Sequence, residues 1–169
     1  MIEIYTYPYK TLETVSTPFD FEKDKIPYYD DLEKFESEMI SAMKSANGLG
    51  LAANQIGITK RFFAIGHESF DRFKNPVIIW NPVIKTQSEE KVLDLEGCLS
   101  FPGIFVKVER PRIIEIEYDT TKGTKETARL DQMESKCFQH ELDHLEGITF
   151  NTRVSKLRWD MAKKKAIKK

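Results

Sequence analysis

Cysteine is scarce in this chain: Cys98 and Cys137 are the two in 169 residues. One bridge without an export signal is a poor pattern for a secreted scaffold, so these thiols are expected to bind metal or sit in a core rather than pair. Long apolar runs are missing too. No stretch approaches the ~20 residues that a membrane span requires, and Met1 to Tyr7 lack the basic and apolar regions of a signal peptide. A cytoplasmic location is expected. An excess of one charge is also lacking, with 26 basic against 27 acidic residues and a net charge of −1. No global field therefore favours a membrane surface or sequence-specific nucleic acid.

A chain of this length buries roughly two thirds of its unfolded surface, which is enough for a core without disulfides. One domain over residues 1–169 is expected, with no repeat or linker to divide it. Pro8, Pro18 and Pro27 make residues 1–29 an extended arm. Leu32, Phe35, Met39, Met43 and Ala46 recur every three or four residues, the signature of an amphipathic helix capped by Asp30 or Asp31 and ended by Gly48.

Short strands are expected at residues 61–65, 77–80, 83–86, 91–95 and 104–108, separated at Asn75-Pro76, Asn81-Pro82 and Pro102-Gly103. The alternation of Ile114, Ile116 and Tyr118 with Glu115 and Glu117 marks a clearer strand, returned by a turn at Thr120 to Gly123 into residues 124–130. A last strand at residues 148–150 and a basic helix at residues 155–167 complete the order. Helix, strands, then helix is an α+β sequence: short, mostly antiparallel strands around a central helix.

That helix carries Gln139-His140-Glu141-Leu142-Asp143-His144. Residues four apart share a helix face, so His140 and His144 can hold one metal ion while Glu141 reaches the water at its open position. Asp131 and Glu134 resemble a capping box, and Gly147 suits a left-handed C-cap. A catalytic site of this kind needs a third protein ligand. Cys98 is the best candidate, because Glu146 follows His144 too closely and Asp160 lies in the basic tail. Leu99 adds a backbone N–H beside that ligand. Cys137, three residues before His140, reads as core or pocket lining, with Met133 one turn earlier.

Gly48-Leu49-Gly50-Leu51-Ala52-Ala53 matches a dinucleotide-binding fingerprint, but a helix rather than a strand precedes it. Two readings remain: a plain turn, or a place where Gly48 and Gly50 admit a substrate backbone while Gln55 offers its amide to a reacting carbonyl.

Gly48 to Gln55, Glu96-Gly97-Cys98-Leu99-Ser100 and Gln139 to His144 together, in that order, resemble the three motifs of the peptide deformylases. The similarity runs from about Tyr7-Pro8 to Phe150 and includes Asn81-Pro82 and Glu109-Arg110-Pro111. The resemblance implies removal of the formyl group from N-formylmethionyl nascent peptides. It implies one divalent ion on Cys98, His140 and His144, Fe²⁺ by family habit, with Zn²⁺, Ni²⁺ or Co²⁺ able to substitute.

Glu141 is then the general base, and Gln55 with the Leu99 amide the oxyanion donors. Leu49, Gly50, Gly97 and Arg110 are expected along the bound peptide, and Met133 and Cys137 near the methionine pocket. Two other readings stay open, a His-Glu-x-x-His zinc peptidase and a metal-bearing module on the ribosome. The basic end at residues 153–169 is expected to favour ribosomal RNA through clustered cations, or else to be a solvated helix.

Overall fold

Asp31 opens the first helix, α1 (Leu32–Ser45), by accepting from the Glu33 and Lys34 N–H groups. The helix stops three residues before Gly48, at an Ala46 cap followed by Asn47 with φ +57. The computed structural model describes residues 2–167, so Met1 and the tail residues Lys168 and Lys169 lie outside the described residues. The buried side chains of Phe35, Met39 and Met43 face the core, as their spacing requires.

Five strands form one antiparallel sheet in the order β1 (Gly50–Ala52), β2 (Phe62–Ile65), β3 (Val77–Gln87), β6 (Ile113–Asp119) and β7 (Lys125–Asp131). The hairpin β4 (Lys91–Cys98) and β5 (Phe101–Pro111) is a separate two-stranded sheet. Helix α2 (Gln132–Leu145) packs against β1, β2 and β7 of the main sheet and against β5 of the hairpin. The α+β arrangement around the His-Glu-x-x-His helix is therefore as expected.

Two of the strands are longer than their proline punctuation implies. Asn81-Pro82 lies inside β3, where the register with β6 shifts between Trp80 and Val83. Asn81 takes φ +47 and its side chain bonds the Phe19 backbone at 2.7 and 2.9 Å and Asp119 at 2.9 Å. A bulge held by an asparagine thus accommodates what would otherwise end the strand. In β5 the pairing jumps from Gly97–Phe105 to Cys98–Phe101, which leaves Pro102, Gly103 and Ile104 bulged out beside Cys98.

The stretch at residues 48–57 is not a plain loop, since it contains β1 and a 3-10 turn, Ala53–Ile56. The expected strand at residues 148–150 is absent, and a 3-10 turn, Phe150–Arg153, stands there. The N-terminal arm is largely extended but carries its own 3-10 turn, Lys10–Glu13, and is pinned by buried Leu12, Phe19 and Ile26.

Trp80 is fully buried in the main core. A smaller cluster of Phe101, Val106, Val108 and Phe150 lies under β5, and Trp159 of α3 (Lys156–Ile167) packs edge-on against Phe101 and Phe150. Among the described residues no helix is long and apolar enough to cross a membrane.

Candidate metal centre

Helix α2 begins differently from its sequence signature. Asp131 makes no capping bond and pairs instead with Arg112 at 3.0 Å. Glu134 turns inward to accept the Arg72 and Phe73 N–H groups at 3.1 and 2.6 Å. The helix is thus tied at its first turn to the 66–75 loop, and Gly147 with φ +68 ends it in the expected left-handed cap.

Cys98, His140 and His144 converge, each offering a ligand atom within 4.8 Å of the others. The Cys98 Sγ to His144 Nε2 separation is 3.3 Å, and both cysteines are free thiols. One soft sulfur and two imidazoles suit a tetrahedral divalent ion with an open fourth position, so the donor set fits a metal.

Helical spacing cannot show what orients the rings. His140 Nδ1 lies 2.9 Å from Glu96 Oε2, which leaves Nε2 for an ion. Glu96 is in turn gripped by Arg110 through Nε at 2.5 Å and Nη2 at 3.0 Å. Burial pushes the Glu96 carboxyl up, but the bonds from His140 and Arg110 outweigh it and hold the group down at about 2. Arg110 also reaches Asp143 at 2.8 Å, and Arg153 binds the same carboxylate at 3.0 Å. The Asn54 amide donates to the His144 carbonyl. Burial, the largest cause, pushes the His144 imidazole well below its ordinary range, towards the neutral form that metal binding requires.

Arg110 therefore does not lie along a bound peptide: it is 5% exposed and saturated by two carboxylates. Met133 is displaced as well. It sits in the first turn of α2, 38% exposed, and lines a second cavity rather than the one at the Cys98, His140 and His144 cluster. The cavity at this cluster, about 520 Å³ and called the metal cavity below, is lined by Leu49, Gly50, Gln55, Gly97, Cys137 and Glu141 together with Cys98 and His140.

Glu141 is buried, and its Oε2 has no hydrogen-bond partner among the described residues. Burial pushes its carboxyl up to about 7. A Cβ at Gly50 would overlap the Glu141 carboxylate, and one at Gly48 would come within 2.7 Å of Leu99. These two glycines thus make room for the site's own side chains.

The Gln55 amide is oriented at both ends. Its Oε1 accepts the Ala52 N–H at 2.8 Å, so Nε2 must point to Ser100 Oγ at 3.0 Å, with Cys98 Sγ 3.8 Å away. The Ser100 hydroxyl in turn donates to the Tyr5 carbonyl at 2.8 Å. Leu99 occupies the two-residue apex of the β4–β5 hairpin, directly after the cysteine ligand.

Sequence reasoning missed Glu96, Asn54 and Ser100 as supports. Each adjoins a residue it singled out, and that adjacency was the available signal.

A family model described as polypeptide deformylase matches residues 1–159. The chain is 36% identical over 154 residues to the peptide deformylase of Rhizobium meliloti, covering 91% of this chain and 85% of the relative. With that of Pelagibacter ubique it shares 37% over 165 residues, 98% of this chain and 92% of the relative. A crystal structure of a peptide deformylase from Synechococcus elongatus in complex with actinonin superposes with a TM-score of 0.85 at 32% identity, over 97% of this chain and 86% of that one. The Thermotoga maritima peptide deformylase gives 0.80 at 35% identity, over 92% and 98%. A cysteine sulfur and two helix-borne imidazoles converge in a fold shared with these enzymes, and the chain belongs to the polypeptide deformylase family.

Proposed function

We propose that residues 1–169 act as one catalytic unit that removes the formyl group from N-formylmethionyl nascent peptides, with Cys98, His140 and His144 holding a single divalent ion. The observation that carries this reading is the convergence of those three donors beside the buried Glu141 carboxylate. When bound, the ion supplies Lewis acidity, which lowers the pKa of a water and polarises a carbonyl.

The chain's own residues do the rest. Glu141 takes the proton of the attacking water and returns it to the leaving nitrogen, so formate departs and a free amine remains. The Gln55 amide, held by Ala52, and the Leu99 N–H donate to the oxygen that gains charge, and one such donor is worth about 3 kcal/mol of barrier. Leu49, Gly50 and Gly97 border the peptide, and Cys137 faces the first side chain. Fe²⁺ is assigned as the native ion, although the ordinary affinity order places zinc above it. Anaerobic purification with metal analysis and a formate-release assay on formyl-Met-Ala-Ser tests the reading. Release of formate, with no cleavage of acetylated or internal peptide bonds, is the expected result; internal cleavage would instead mark a peptidase.

A cytoplasmic location, where nascent chains emerge, accompanies this function. Lys156, Arg158, Lys163, Lys164 and Lys165 make α3 a predominantly cationic helix, suited to phosphates, and we assign it to ribosomal RNA. Deleting residues 155–169 is expected to weaken ribosome binding in a salt-dependent way, and unchanged affinity would refute the assignment.

A further inference from the structure

Apart from the cysteines, four ionisable side chains line the metal cavity among the described residues, and three of them, Glu96, His140 and Glu141, belong to the centre itself. The fourth, Lys136, has no part in it. A lysine in the wall of a mostly apolar cavity is unusual, since its ammonium must find water or partners. Here it finds partners on β4: Nζ pairs with the Asp94 carboxylate and donates to the Leu95 carbonyl at 3.1 Å. The Lys136 side chain is only 17% exposed, whereas Asp94 stands half in solvent. Its four-carbon stem is thus drawn across from α2 to the hairpin.

Behind that stem lies the second cavity, about 390 Å³, with Val92, Asp94 and Met133 in its walls. Lys136 lines both cavities. Cys137, its neighbour in the chain, lines the metal cavity alone, and Met133, one turn back, lines the second alone. The position of Lys136 between them makes the moored side chain a dividing wall.

We propose that Lys136, moored to β4 by Asp94 and the Leu95 carbonyl, is the partition that separates the two cavities and so limits the length of first side chain the enzyme accepts. This rests on the reading above that the metal cavity seats the formylated residue with its side chain towards Cys137. Removing the partition joins the cavities and lengthens the slot towards Val92 and Met133, which with Pro111 are the apolar part of a second cavity otherwise lined by charged and polar residues.

The test compares kcat/KM for formyl-homophenylalanyl-Ala-Ser with that for formyl-Met-Ala-Ser in each enzyme. A ratio within one preparation cancels any loss of folded or metal-loaded protein. Lys136→Ala is expected to raise the ratio by about tenfold or more, the usual reach of a few apolar groups gained or lost in a pocket. Asp94→Ala leaves the ammonium with the Leu95 carbonyl alone and moves the ratio the same way by less. Lys136→Arg can keep the ion pair and holds the wild-type ratio.

An unchanged ratio in Lys136→Ala, with normal turnover of formyl-Met-Ala-Ser by the wild type, overturns the partition alone. Failure of the metal-loaded wild type to release formate overturns the function reading, and the partition with it.

Discussion

Glu141→Ala is expected to retain its metal and lose about 10²–10⁴-fold in turnover, the span over which a positioned acid–base group acts. The ligand atoms come from Cys98, His140 and His144, so truncating their neighbour leaves the donor set whole. The carboxylate it removes occupies a costly position, buried with one oxygen unpartnered among the described residues. A protein carries such a group only where the surroundings hold it there. Gly50 does part of this by leaving the space a Cβ would take. Glu141→Gln keeps the shape without the basicity and is expected to fall nearly as far. Metal content and formate release, measured on the same sample, check both, and near-normal turnover in either variant would remove Glu141 from the role of base.

Arg110→Ala is expected to destabilise the fold by about 3–5 kcal/mol, the cost of breaking a buried ion pair by removing one partner. Glu96 and Asp143, both largely buried, would lose the cation between them, and Arg153 could compensate only at Asp143. For a chain of this size that corresponds to a fall in Tm of roughly 6–20 °C. His140 would also lose the fixed orientation of its Glu96 partner, so metal affinity should drop in parallel. Thermal denaturation with metal titration distinguishes this from a peptide-contact role, in which KM would rise while Tm stayed unchanged.

What the sequence made legible follows from period and local chemistry. The spacing of His140 and His144 places both rings on one face of α2, and the alternation from Ile114 to Tyr118 appears as the buried and exposed faces of β6. What it left dark is long-range. The pairs Glu96–His140 and Arg110–Asp143 join residues 44 and 33 apart, and no periodic pattern announces such partners. Arg110 is therefore expected along the bound peptide, and Asp131 and Glu134 as a cap, although tertiary partners claim all three.

Met133 was misplaced for a geometric reason. It shares a helix face with Cys137, but it lies one turn further from the ligands, beyond Lys136 and within the other cavity. Asn81-Pro82 failed as a strand break because one asparagine satisfies the bulge it creates.

The central claim is that a hairpin thiolate and two imidazoles of one helix grip the same ion. X-ray absorption on the zinc-loaded protein tests it most directly. The account predicts one sulfur at about 2.3 Å and two nitrogens at about 2.0–2.1 Å, with the sulfur lost in Cys98→Ser; a shell of nitrogen and oxygen alone in the unmutated protein would contradict it.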